Sequence, residues 1–138
     1  MKLLQYAFDP RIVDDSNPYA YETNTVVYPG THDNDTVRGW SRTVPQPAVR
    51  HAMDYMGIRR RSELPRGMIR LAMQCNASLA MIPMQDWLNL GSGARMNAPS
   101  TVGGNNWRWR LPRNALKPKL ARAMAKMASL YGRHSDRT

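Results

Sequence analysis

Short apolar or β-branched runs alternate along this chain with segments of helical period, and that alternation restricts the fold more than any other feature. TVVY, Thr25 to Tyr28, halts at Pro29-Gly30 and reads as a strand. Lys2 to Phe8, ended by Asp9-Pro10, and Leu79 to Pro83 read as two further buried strands. Over Ala48 to Met56, the residues Val49, Ala52, Met53 and Met56 share one helical face, and Gly57 closes it. Pro65 opens a second helix with Met68, Leu71, Ala72 and Cys75 on its apolar side and Asn76 at its end. Leu116 to Tyr131 is the clearest helix: Leu120, Ala123, Met124, Met127 and Tyr131 fall on one side, and Gly132 suits the end. Asp14 to Asn17 reads as a loop, as does the Gly-, Asn-, Pro- and Trp-rich stretch from Gln85 to Arg113. The sequence has no internal repeat.

Strands alternating with helices indicate an α/β fold with a parallel sheet. Such strands are buried on both faces and need helices on each side, which three strands and three helices can hardly supply. The expected structure is therefore part of a larger sheet, one domain over residues 1–138, with Met1 standing immediately before a strand.

Composition removes several classes. With 42% hydrophobic and 22% charged residues, wholesale disorder is excluded. No apolar run approaches the ~20 residues of a membrane span. MKLLQYAFDPR lacks both the apolar length and the cleavage site of a signal peptide, so a cytoplasmic location is expected. The one cysteine, Cys75, permits no intramolecular disulfide and no cysteine-based zinc site; on a helix's apolar face it reads as a small buried hydrophobe. A net charge of +10 favours anionic partners. One alternative is thus a small basic nucleic-acid-binding module using Arg59 to Arg61 and the WRWR stretch from Trp107 to Arg110. Against it, the other arginines are scattered as on a solvated surface, and no DNA- or RNA-binding motif is present.

The ends of the three candidate strands carry polar groups: Phe8-Asp9, Gly30-Thr31-His32-Asp33 and Met84-Gln85-Asp86. Ligands bind at the carboxyl ends of strands in open α/β sheets and in α/β barrels. THDND admits several readings. As a metal site it lacks a second histidine or cysteine at ligand spacing, since His51 and His134 lie far away in helical and tail contexts. Asp33, Asn34 and Asp35 could form an Asx-turn that caps the next stretch of chain. Carboxylate, imidazole and amide groups also suit sugar hydroxyls, and Trp40, Trp87, Trp107, Trp109, Asn97, Asn105 and Asn106 would complete a sugar site.

VVYPGTHDNDTVRGW and IPMQDWLNLGSGARMNAPSTVGGNNWRWR resemble the C-terminal part of the 4-alpha-glucanotransferases, the amylomaltases or disproportionating enzymes of glycoside hydrolase family 77. MKLLQYAFD is similar to the strand before that region. The resemblance covers nearly the whole chain and is weakest from Thr43 to Arg61. It implies the C-terminal portion, about strands six to eight with their helices, of a (β/α)8 barrel. It also implies transfer of α-1,4-glucan segments, through a glucosyl-enzyme, to the 4-hydroxyl of an acceptor sugar. In this reading Asp33 is the third catalytic acid, which binds the hydroxyls of the sugar at the cleavage point and stabilises the oxocarbenium-like transition state. His32 donates a hydrogen bond to the same sugar, and Asn97 helps to bind substrate. No metal ion or cofactor is implied, nor any membrane; the partner is an α-1,4-glucan or maltooligosaccharide.

Retaining chemistry also needs a nucleophilic carboxylate and a separate acid/base. In the family these lie on the fourth and fifth strands, upstream of Met1. The only glutamates, Glu22 and Glu63, fall in a loop and before a helix. Alone, the chain is expected to be inactive and, with raw sheet edges and an exposed apolar face that the missing half of the barrel would cover, to fold poorly or aggregate. Pro29 and Val37 replace usual threonines, and Gly93 stands where the family usually has glutamate.

Overall fold

The computed structural model describes residues 1–12 and 17–133. Among the described residues, the strands and α-helices succeed one another in chain order: β1 (Lys2–Leu3), α1 (Leu4–Phe8), β2 (Val26–Tyr28), α2 (Val37–Thr43), α3 (Gln46–Met56), α4 (Leu64–Gln74), β3 (Leu79–Ala80), α5 (Met84–Trp87) and α6 (Pro118–Leu130). The strands form one parallel sheet in the order β1-β2-β3, with Lys2 opposite Val27 and Val27 opposite Ala80. The α/β class and the parallel sheet match the reading of the sequence. The loop expected at Asp14 to Asn17 lies mostly outside the described residues, as does His134.

Two strand expectations need correction. The run from Lys2 to Phe8 is a strand only as far as Leu3 and then turns into α1. Leu4, Gln5 and Phe8 are its buried residues, a helical spacing inside a short apolar run that composition cannot tell from a strand. Asp9 consequently leaves the sheet end and is clamped by Arg11, whose Nε and Nη2 donate to its carboxylate at 2.8 and 2.6 Å. This ion pair holds the Asp9 carboxyl below its usual range. The third strand is likewise short, although Met81 N–H still donates to Val27 O at 2.9 Å beyond it.

The helices behave as their spacing predicts. Gly57, at φ 64°, ends α3, and Ile58 N–H reaches back to Met53 O at 3.0 Å. Pro65 lies in the first turn of α4, where a missing N–H costs nothing. Leu4, Val27, Val37, Val49, Leu64 and Met68 are fully buried between the sheet and α2 to α4. The guanidinium of Arg133, just beyond α6, donates to the carbonyls of Ala72, Met73, Cys75 and Ala77. It thereby satisfies the end of α4, where backbone acceptors lack helical partners and carry partial negative charge.

Coverage of the core is one-sided. Met127 is the buried residue of α6, while Leu130 is 69% exposed and Ala123 also faces outward. Leu79 and Met81 are exposed beside the outer edge of β3. No helix among the described residues is long and apolar enough to cross a membrane. Met68 has no solvent exposure. Met68→Ala is expected to lower unfolding free energy by about 2–5 kcal/mol, read from urea denaturation.

Candidate functional site

β2 delivers its chain end into a turn, and the turn is built by its own side chains. Asn34 Oδ1 accepts from Thr31 N–H at 2.8 Å and from Thr31 Oγ1–H at 2.9 Å. Gln5 Nε2 donates to Asp35 O at 2.8 Å, tying α1 beneath the turn. A Cβ at Gly30 would stand 2.7 Å from that Gln5 nitrogen, so the Pro-Gly stop is also a close approach of side chain to backbone. Beyond the turn, Thr36 Oγ1 accepts from Gly39 N–H at 3.1 Å and caps α2. Asp35, expected as an Asx cap, instead accepts from Thr36 N–H at 2.7 Å and from Ser92 Oγ–H at 2.7 Å.

The second motif folds over the first. Asn97 Nδ2 donates to Asp33 Oδ1 at 2.7 Å, and His32 Nε2 lies 3.5 Å from the same oxygen. Asn97 N–H donates to His32 O at 3.0 Å. Arg95 bridges both strings, donating through Nη2 to Asp33 O and through Nε to Asn97 O, each at 2.7 Å. The His32 and Trp107 rings stand 5.2 Å apart, tilted by 40°. Asp33 and Asn97, 64 positions apart, therefore meet in one place together with His32. Asp33 remains 48% exposed, open to a ligand.

Trp107 adopts φ 62°, a left-handed conformation that bulky residues rarely hold and that costs about 1–3 kcal/mol. Its N–H donates to Met96 O at 2.7 Å, which fixes the ring beside His32. Asn106 braces the same loop, accepting from Ala98 N–H at 3.0 Å and donating to Thr101 Oγ1 at 2.8 Å. Trp40, one of the tryptophans considered for sugar stacking, is in the core. Arg110, in the WRWR stretch, wraps its own loop by donating to Trp107 O and Trp109 O. Arg60 pairs with Glu63 at 3.5 Å, and Arg61 donates to Gln46.

Two contributors are hard to find in the sequence. Arg95 carries no signal beyond its place in the motif. Asp86, expected as a strand-end acid, lies in α5 and is 3% exposed; its Oδ1 accepts from Val37 N–H at 2.8 Å. Burial pushes its carboxyl up to about 6, opposed by the Val37 hydrogen bond and assisted by the neighbouring Asp35 charge. A recess of about 210 Å³ lies between the two loops, with Thr31, His32, Asp35, Asp86 and Arg95 among its walls. Among the described residues, no three His, Cys, Asp or Glu side chains converge as a metal site would require.

A family model described as 4-alpha-glucanotransferase matches residues 1–116. The chain is 42% identical over 136 residues to the chloroplastic/amyloplastic 4-alpha-glucanotransferase of Solanum tuberosum, covering 96% of this chain and 23% of the relative. It is 41% identical over 137 residues to the 4-alpha-glucanotransferase of Clostridium butyricum, covering 96% and 27%. Among solved structures it is similar to the amylomaltase from Streptococcus agalactiae in complex with acarbose, with a TM-score of 0.88, 28% identity, and coverage of 98% of this chain and 27% of that one. The chain thus spans about a quarter of the length of these relatives. None of them is named as a nucleic-acid-binding protein, and that alternative draws no support.

Two outcomes are expected from this geometry. A Cβ at Gly39 would collide with the Asp35 carboxylate. Gly39→Ala should displace that carboxylate from Thr36 and Ser92 and lower stability by about 1–3 kcal/mol in urea titrations. Asp86, whose carboxyl is raised in the fold, favours the folded state fully only below its unfolded value of 3.8, and this contribution is lost as pH rises through about 6. Asp86→Asn should therefore gain stability relative to the parent between pH 4 and 7, by on the order of 3 kcal/mol, with the difference level above that window.

Proposed function

Because the chain belongs to the 4-alpha-glucanotransferase family, we propose that it forms strands six to eight of a (β/α)8 catalytic barrel and supplies one wall of its active site. Residues 1–138 are then a partial catalytic domain, completed by the other strands. The substrate is an α-1,4-glucan or maltooligosaccharide, and the reaction transfers a glucan segment to the 4-hydroxyl of an acceptor glucan or glucose. The amylomaltase of similar fold was solved in complex with acarbose, which supports a sugar-shaped site here. This reading places the reaction in the cytoplasm, without a membrane or a cofactor.

The contact that carries the reading is Asn97 Nδ2 on Asp33 Oδ1 at 2.7 Å. It fixes one oxygen of a half-exposed carboxylate and leaves Oδ2 to accept from sugar hydroxyls. As the glycosidic bond breaks, positive charge develops on the ring, and a preoriented carboxylate stabilises that charge more than it stabilises the resting sugar. His32 Nε2, beside the same oxygen, is placed to donate to a hydroxyl of the same ring. The Trp107 ring stands beside the imidazole.

The nucleophile and the acid/base come from elsewhere in the barrel. In a retaining enzyme these two carboxyls stand about 5–5.5 Å apart across the scissile bond. Three of the described acids have other engagements. Glu63 accepts from the N–H groups of Arg59 and Arg60, Asp9 is clamped by Arg11, and Asp86 is buried against Val37. The purified chain given maltotriose should yield no ladder of longer sugars, and such a ladder would overturn this assignment. Joined to the remaining strands it should yield one, and Asp33→Asn there should lower kcat by about 10²-fold or more. Unchanged kcat would remove Asp33 from the reaction.

A further inference from the structure

Asp86 has no part in the chemistry described above, yet its position bears on both groups proposed to meet the sugar. Its Oδ1 accepts from Val37 N–H, 49 residues away, at the first residue of α2. Val37 lies four positions beyond Asp33. Asp86 itself lies in α5, which opens the same segment that continues through Ser92 and Arg95 to Asn97. That segment touches the turn through three exposed side-chain contacts, Ser92 on Asp35, Arg95 on Asp33 O and Asn97 on Asp33 Oδ1, and through the backbone bond from Asn97 N–H to His32 O. Among the side-chain contacts, the Asp86 bond is the buried one. Exposed hydrogen bonds compete with water and yield easily, whereas a buried, charge-assisted bond to a helix amide does not.

A carboxylate is an expensive way to satisfy one amide in a core, because burial disfavours its charge. A neutral acceptor would hold Val37 at lower cost. The neighbouring Asp35 charge acts on it, and other titratable or charged groups line the recesses beside it. Asp35, His32 and Arg95 line the recess of about 210 Å³ with it, and Arg66 of α4 lines a second recess of about 250 Å³ with it.

We propose that Asp86 is a positioning residue for Asp33 and Asn97, tying the 84–97 segment to the first turn of α2 through the Val37 amide and so setting the Asn97–Asp33 contact. This rests on the reading of Asp33 and Asn97 as sugar-contacting groups. The tie is charge-assisted when Asp86 is ionised and weaker when it is neutral. Its strength therefore changes within the ordinary pH range, since burial brings the carboxyl to about 6.

Amide NMR of the chain between pH 5 and 8, without sugar, tests the tie directly. In the parent, the Val37 amide and the Asn97 side-chain NH2 should shift together with a midpoint near 6. The same midpoint should persist in His32→Gln and vanish from both signals in Asp86→Asn. In Asp86→Ala, exchange of the Asn97 NH2 protons should quicken roughly tenfold, the equivalent of one ordinary hydrogen bond, and Asp86→Asn should restore it. An Asn97 signal that stays fixed while Val37 titrates would show that Asp86 serves α2 alone and would overturn the proposal. So would a common midpoint that survives in Asp86→Asn. If Asp86→Ala does not fold, the comparison of the parent with Asp86→Asn decides by itself. Maltotriose added afterwards separates the two readings: unmoved Asp33 and Asn97 signals would sink the sugar site while leaving the measured tie in place.

Discussion

Parallel pairing on both sides of β2 is the constraint on which the rest depends. Antiparallel neighbours can be joined by a tight turn, but parallel ones need a crossover that returns the chain to the same end of the sheet. Here the return from β2 to β3 takes three helices, α2 to α4, and these enclose the core. The same geometry brings the carboxyl ends of all the strands to one side. The turn after β2 and the segment after β3 are thus neighbours by topology, and the Asn97–Asp33 contact is a consequence of strand direction as much as of side-chain affinity.

The elements legible in the sequence are those whose signals are redundant. α3 and α4 combine an apolar face with a proline at the start or a glycine at the end, and both appear where expected. β2 combines β-branching with a Pro-Gly stop. Where one signal stands alone, it misleads. The apolar run after Met1 has no alternation and no turn residue before Asp9, so nothing marks the change from β1 to α1. Helix α2 has no clear signature, because Val37, Gly39 and Thr43 are poor helix formers and Thr36 is its one strong cue. That gap explains Trp40, which looks available for stacking in the sequence but is turned inward by the unexpected helix.

The site is legible through its motif residues and not through the groups that hold them. His32, Asp33 and Asn97 are polar side chains in the loops beyond the strands, which chemistry can use and packing does not require. Arg95 and Asp86 act through backbone atoms: Arg95 on carbonyl oxygens, Asp86 on an amide hydrogen. Such partners leave no pairing pattern in a sequence, because nearly every residue carries the same backbone groups. The left-handed Trp107 is hidden for a similar reason, as its conformation is imposed by the loop rather than preferred by the residue.

Arg133 adds a temporal dimension to this arrangement. The carbonyls at the end of α4 that it satisfies precede it by 56 to 61 positions. A ribosome adding about 5–20 residues per second needs roughly 3–12 s to supply that much chain. During that interval α4 has its apolar face and its proline-bearing start but lacks the guanidinium at its finish. Until Arg133 has been made, the carbonyls of Ala72, Met73, Cys75 and Ala77 lack these donors. The order of synthesis and the order of consolidation therefore differ along this segment: a residue made later completes the hydrogen bonding of a helix made earlier.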